Sequence, residues 1–308
     1  MTGKQETISY YSHGKLLLSG EYMVLDGALA LAVPLILGQK MLVNLVDGNT
    51  LIWKAYENDL IWFEAEFSVT DFSVISSNDL FRAEKLSLIL MKARKLNTEF
   101  LTNGGAEVNN YLEFSRLWGF GSSSTLISNI AGWAHVDPFD LFFKTSGGSG
   151  YDIASARANG PIIYKFQDPK PVFEPVAFDP CFRSNLYFVY TGHKKDSDAG
   201  INFYRSLIKP GPVEIAALSN VSLNMSLATT LDEFEECMRE HERIISRFLR
   251  IATVKEQYFS DFGGELKSLG AWGGDFMLAT WKGEPDKLRA YFASKTINLI
   301  FRYNDLVH

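Results

Sequence analysis

The sequence predicts an α+β protein of two domains, and three observations lead there. Segments rich in aromatic and β-branched residues crowd the first third of the 308 residues, helical patterns dominate the second half, and a stretch with four prolines lies between them at residues 167–180. Segregated runs of strands and helices build layered α+β domains rather than a doubly wound parallel sheet. A chain of this length also reaches the size at which one core stops growing, roughly 250–300 residues. The boundary is placed at the proline-rich stretch, giving domains 1–180 and 181–308.

Taken in order, residues 8–13, 39–47, 51–56 and 60–67 read as strands. Asp47-Gly48-Asn49 and Glu57-Asn58-Asp59 read as the hairpin turns between them. Residues 80–96 carry Leu86, Ile89, Leu90 and Ala93 at helical spacing, and 106–114 alternates like a strand again. Residues 123–135 are helical. Asp137-Pro138 opens a further helix, with proline suited to the first helical position. A short helix is expected over 152–158 and a strand over 162–166. The second half opens with a strand at 185–190, continues with helices at 213–227 and 231–251, and closes with a strand at 275–281, a helix at 285–292 and a strand at 296–303.

A hydrophobic share of 46% supports a large core. The formal net charge is −6 and no Lys/Arg cluster stands out, which excludes the basic footprint of a nucleic-acid binder. Cys181 and Cys237 form no metal or redox motif, and the five histidines lack ligand spacing, so no zinc site is expected. The first six residues lack the apolar core of a signal peptide, and the longest apolar stretch, 28–37, is shorter than the ~20 residues a membrane helix needs. The reading is a cytoplasmic protein acting on a small molecule, with no membrane or nucleic-acid partner. Its oligomeric state is open, a homodimer included.

Three glycine-bearing segments are candidates for chemistry. Trp118-Gly119-Phe120-Gly121-Ser122-Ser123-Ser124-Thr125 runs into an apolar helix. Glycines there let backbone N–H groups approach an anion, the helix start favours negative charge, and the hydroxyls suit phosphate oxygens or a divalent cation. The plain alternative is a capped helix after a tight turn. No Lys-Ser/Thr pair ends the segment, so it is not the common P-loop, and the dinucleotide fingerprint needs a third glycine. The second segment, Gly147-Gly148-Ser149-Gly150-Tyr151-Asp152, places a carboxylate one turn into a helix, where it can serve as a base or merely neutralise the dipole. The third, Lys267-Ser268-Leu269-Gly270-Ala271-Trp272-Gly273-Gly274-Asp275, enters a strand and would serve equally as an ordinary turn.

Order and combination point further. His13-Gly14-Lys15-Leu16-Leu17-Leu18-Ser19-Gly20-Glu21 near the N-terminus resembles the first motif of the GHMP kinases, a Pro-Gly-Lys leading to Gly-Glu. Residues 119–125 are similar to the second motif, Gly-Leu-Gly-Ser-Ser-Ala, and 270–275 to the third. Asp152 falls where the mevalonate-type kinases carry Ser-Gly-x-Asp. The resemblance spans residues 8–281 in the family's order and is strongest to the phosphomevalonate and mevalonate kinase branch. The Gly-Tyr-Asp-Ile-Ala phrase at 150–154 matches a bacterial subgroup named for it.

The resemblance implies an N-terminal domain like the second domain of ribosomal protein S5 and a ferredoxin-like C-terminal domain. It implies ATP with magnesium as cofactors and a kinase activity toward a small anionic metabolite, phosphomevalonate or mevalonate first. Asp152 takes the catalytic aspartate's position and Lys15 that of the lysine that keeps it ionised. Gly119, Gly121, Ser122, Ser123, Ser124 and Thr125 correspond to the phosphate loop, with Ser123 as the magnesium-contacting serine and Asp140 a second metal candidate. Glu21, Ser149, Gly150, His193, Lys194, Gly273 and Gly274 fall on the substrate side. The sequence departs from the family pattern at His13 (for Pro), Phe120 (for Leu), Ser124-Thr125 (for a small apolar pair) and Trp272 (for Gly). A sugar or amino-alcohol kinase, an ATP-dependent decarboxylase and an inactive nucleotide- or partner-binding module are the alternatives.

Overall fold

The computed structural model describes residues 7–168, 170–193, 197–270 and 274–308. The chain forms two compact units that interleave along the sequence. One takes in the residues up to Gly14 with Leu37–Arg116 and Gly121–Arg157; the other takes in Lys15–Ile36, Leu117–Phe120 and everything from Ala158 on. Strands β1 (Ile8–Ser19) and β2 (Leu29–Val46) contribute residues to both.

The first unit adds β3 (Thr50–Glu57), β4 (Leu60–Ser68), β5 (Val74–Ser77), α1 (Leu80–Leu96), β6 (Gly105–Leu112), α2 (Ser122–Trp133), α3 (Pro138–Thr145) and α4 (Tyr151–Ala156). Its sheet runs β5-β4-β3-β6-β2. The β3–β4 hairpin forms as the sequence predicts: Asn58 and Asp59 hold φ of 50° and 61°, the left-handed pair of a two-residue turn that matches strand twist. The expected hairpin at Asp47-Gly48-Asn49 does not form. A turn is present there, but β6 inserts between the two strands, antiparallel to β2 and parallel to β3. Two glycines permit this insertion: a Cβ on Gly104 would lie 2.8 Å from the Val46 carbonyl oxygen, and one on Gly105 2.3 Å from that of Thr50. Alternate residues of the sheet, among them Trp53, Phe63, Phe67 and Val108, are buried against Leu86, Leu90, Ile127 and Ile130 of α1 and α2. The face that periodicity assigned to α1 is the buried one. Each such side chain adds about 1.5–3 kcal/mol of burial.

In the second unit, β7 (Ile162–Lys165) pairs with residues 29–32 of β2 and with β8 (Val172–Pro175). The proline-rich stretch expected to be a linker thus contains a strand. Pro175 is its last residue, so the ladder there loses one amide at its end only. Then follow β9 (Leu186–Tyr190), α5 (Ser197–Ser206), α6 (Pro212–Leu227), α7 (Leu231–Leu249), α8 (Val254–Tyr258), β10 (Leu266–Leu269), β11 (Phe276–Thr280), α9 (Pro285–Ser294), β12 (Ile300–Arg302) and α10 (Tyr303–Leu306). The sheet β10-β11-β9-β12 is antiparallel throughout, with β11 between β9 and β10 and β9 between β11 and β12. That interleaving of two strand–helix–strand crossovers is the ferredoxin-like pattern. The last strand is shorter than expected, since Thr296 (φ 65°) and the residues after it belong to the turn out of α9. Tyr187, Val189, Met277 and Ala279 pack against Leu288 and Phe292 of α9 and Phe259 and Phe262 near α8. Tyr204, Leu218, Ile244 and Ile245 of α5, α6 and α7 close on Met23 and Ala28.

Candidate functional site

Within the second unit, segments from all along the chain meet around residues 117–120. The Lys15 amide donates to the Phe120 carbonyl at 3.0 Å, tying the first motif to the second. The Tyr190 hydroxyl donates to the Leu117 carbonyl at 3.2 Å. Phe120 is fully buried, stacked 4.8 Å from Phe276, the first residue of β11. Phe120, a departure from the leucine expected in the second motif, thus has an aromatic partner. Gly119 sits at φ 68° so close to Asp275 that a Cβ would lie 1.9 Å from the carboxylate Oδ2, which leaves room for glycine alone. Thr191 completes the join: its amide donates to the Asp275 carbonyl at 3.0 Å and its hydroxyl to the Gly274 carbonyl at 3.0 Å. His193, exposed, bonds back to the Thr191 hydroxyl through its amide at 3.4 Å. Lys194, Trp272 and Gly273 lie outside the described residues.

The first unit holds the other two candidate segments. Helix α2 starts at Gly121, a left-handed N-cap (φ 87°) with no side-chain cap bond. Its inner polar face is fully engaged: Thr125 Oγ1 donates to Gln39, Asn129 Nδ2 to the Gln39 carbonyl at 2.9 Å, and Ser12 Oγ lies 2.8 Å from both Ser128 Oγ and Asn129 Oδ1. These bonds fix the helix's rotation. Ser124 is buried and Ser123 exposed at the first turn, so the Thr125 hydroxyl is committed to the interior and the Ser123 hydroxyl is presented to solvent. Helix α4 begins in the same way, at left-handed Gly150 (φ 86°) without a side-chain cap, after buried Ser149 and with half-buried Asp152 in its first turn. Asp140 is exposed in the first turn of α3, behind the N-cap Asp137. No group of three or more His, Cys, Asp or Glu that could hold a metal ion is found among the described residues.

Glu21 has surroundings that the sequence did not announce. The residue is 2% exposed, and its carboxylate forms an ion pair with Lys267, itself fully buried on β10, while its other oxygen lies 2.7 Å from His241 Nε2 of α7. Burial alone would push the Glu21 carboxyl up; Lys267 and then His241 outweigh it and hold the pKa down at about 2. The Lys267 ammonium also donates to the Ser268 carbonyl at 2.8 Å. Glu242 follows on α7, with Oε1 3.7 Å from His241 Nδ1, and burial raises its pKa. Glu21, expected on the substrate side, is thus part of a buried charge cluster. Sequence could not find it: Lys267 and His241 look like any β-strand lysine and helix histidine, and both are more than two hundred residues from Glu21.

These features suit an anionic ligand. Helices α2 and α4 begin on glycines, which supply no side-chain cap, and Ser123 adds a hydroxyl of the kind a phosphate-bound divalent cation accepts. Among the described residues, no helix is long and apolar enough to cross a membrane.

No family model and no curated protein sequence matches the chain. Solved structures do match, over nearly its full length. The mevalonate kinase of Methanococcus jannaschii is similar with a TM-score of 0.71 at 17% identity, covering 98% of each chain. The phosphomevalonate kinase of Streptococcus pneumoniae, solved with phosphomevalonate and AMPPNP, gives 0.70 at 16% identity over 96% of this chain and 99% of its own. A galactokinase from Lactococcus lactis, solved with galactose, gives 0.66 at 12% identity over 96% and 93%. With its S5-like and ferredoxin-like parts, the chain has the fold of the GHMP kinases.

Proposed function

We propose that the protein is an ATP-dependent kinase that transfers the γ-phosphate to a hydroxyl or phosphate of a small anionic metabolite, mevalonate or phosphomevalonate first. The observation that carries this reading is the mutual fit of Gly119 and Asp275. Gly119 has no room for a methyl group beside Asp275, and the Lys15 amide holds the adjoining Phe120 carbonyl, which supports a close-fitting loop at the second glycine segment.

Phosphoryl transfer asks mainly for positioning and charge neutralisation. In this reading Gly119, Gly121 and Ser122 cradle the phosphates at the start of α2, and Ser123, with Asp140 as a second candidate, holds magnesium. When bound, the ion would supply positive charge that neutralises the phosphates. Asp152 orients the acceptor group and takes its proton, and Lys15 supplies a positive charge to the reaction. Ser149, Gly150, His193, Lys194, Gly273 and Gly274 serve the substrate side. Thr125 and Ser124 support the loop from beneath, since the former's hydroxyl is already bonded inward.

An ADP-release assay with mevalonate, phosphomevalonate, diphosphomevalonate and galactose tests the proposal. Turnover with one of the first two is expected. Turnover with galactose alone assigns a sugar kinase, and carbon dioxide release a decarboxylase. ATP binding without turnover on any acceptor points to a nucleotide-binding module instead.

A further inference from the structure

The Glu21–Lys267–His241 cluster lies exactly where two of the glycine-bearing segments leave their strands. Glu21 follows Gly20, whose φ of 101° and close approach to Ala30 make it the hinge of the first-motif turn. Lys267 sits three residues before Gly270, the start of the third segment. Around the turn, the Gly20 amide faces His241 Nε2 at 3.3 Å, Ser19 Oγ lies 2.8 Å from Ser222 Oγ, and the Leu29 amide donates to Ser219 Oγ at 2.9 Å. The turn itself is short and irregular, with Tyr22 at φ 61° and local bonds from the Val24 and Leu25 amides. The one His241 nitrogen, Nε2, thus lies within reach of both the Glu21 carboxylate, at 2.7 Å, and the Gly20 amide.

We infer that Lys267 and His241 are positioning residues, which clamp Glu21 so that the first-motif turn and the strand leading into the third glycine segment keep one fixed separation. This rests on the kinase reading only for its kinetic consequence; the clamp itself is a statement about the turn. A fully buried ammonium beside a fully buried carboxylate is a poor way to gain stability, because apolar residues of like volume commonly do as well or better. Its retention is explained by geometry. An ion pair with a third polar partner fixes direction and distance, which apolar packing does not.

That difference sets the experiment. Glu21→Gln and Lys267→Met singly strand a buried charge and lower the melting temperature. The double variant Glu21→Met with Lys267→Met removes both charges and is expected to melt near the wild type. In that stable double variant, amides of residues 20–28 are expected to exchange hydrogen at least tenfold faster, and kcat to fall on the order of 10- to 100-fold with KM for ATP changed far less. Lys267→Arg keeps the charge but not the reach; it is the second variant, expected to fold and to show the same faster exchange in weaker form. Unchanged exchange at residues 20–28 in either folded variant overturns the clamp. That readout needs no turnover, so an inactive wild type would defeat the kinase reading and leave the clamp to be judged on exchange alone.

Discussion

Two of the kinds of helix start in the described residues make an instructive contrast. Helix α7 opens with a complete capping box: Thr230 Oγ1 accepts from the Glu233 amide at 3.3 Å and the Glu233 carboxylate accepts from the Thr230 amide at 3.1 Å. Helix α8 repeats the device with Thr253 and Glu256. By contrast, α2 and α4 open on left-handed glycines and have no side-chain cap. The capped helices satisfy their own first amides and serve packing. The glycine-started helices have no side chain at the N-cap to accept from theirs, and they are the two that carry the Ser123 and Asp152 candidates. Substitutions in each class should therefore act on different quantities.

The largest effect is expected at Asp152. Its change to Asn keeps the shape and removes the carboxylate, and kcat should fall by about 10²–10⁴ while the melting temperature holds; full turnover in this variant would refute the assignment. Next comes Gly119→Ala, whose added methyl meets the Asp275 carboxylate at 1.9 Å. Nucleotide affinity measured by calorimetry should drop on the order of tenfold or more, and pairing it with Asp275→Ala should restore only part, because the Asp275 Cβ itself lies 2.9 Å from the added atom. Thr230→Ala, on a capped helix, should cost about 1 kcal/mol of stability in denaturant melts and leave nucleotide affinity alone. A loss of affinity there would break the distinction between the two kinds of start.

The smallest effect concerns pH. Glu242 is buried and its pKa lies above the ordinary 4.5, so the folded state favours its neutral form. Whatever it contributes is present below pH 4.5 and is lost as the pH rises toward the raised value. Glu242→Gln should therefore gain on the wild type in melting temperature between pH 5 and 8, and the gap should close near pH 4. Neighbouring Glu21, held low by Lys267 and His241, works in the opposite sense. It stabilises above 4.5 and loses that contribution as the pH falls toward about 2, so the Glu242 comparison is best read above pH 4.5.

Much of this arrangement was legible in the residues. Helical spacing located α1 to its ends, Asp137-Pro138 marked the start of α3, and the glycine–serine runs marked the starts of α2 and α4, because each of these signals is local. The family resemblance drew the right fold from four short motifs in order. What stayed hidden depends on partners far along the chain. Nothing near Asp47 announces that residues 105–112 will enter between β2 and β3, and nothing near Glu21 announces Lys267. Phe120 looked like a departure until Phe276 appeared beside it. Three four-residue strands, β5, β8 and β10, were missed because so short a run does not establish a period.

The parallel pairing of β3 with β6 has a consequence for how the chain is made. The β3–β4 hairpin can close as soon as it is synthesised, yet one edge of β3, carrying Leu51, Trp53 and Ala55, stays open until α1 and residues 105–112 have followed. Nascent chains thus pass through an interval in which an apolar strand edge waits for a partner encoded much later, and late non-local pairing of this kind is intrinsically slow. Gly104 and Gly105 end that interval. A larger side chain at either would show itself first as aggregation during expression, before any change in the finished protein could be weighed.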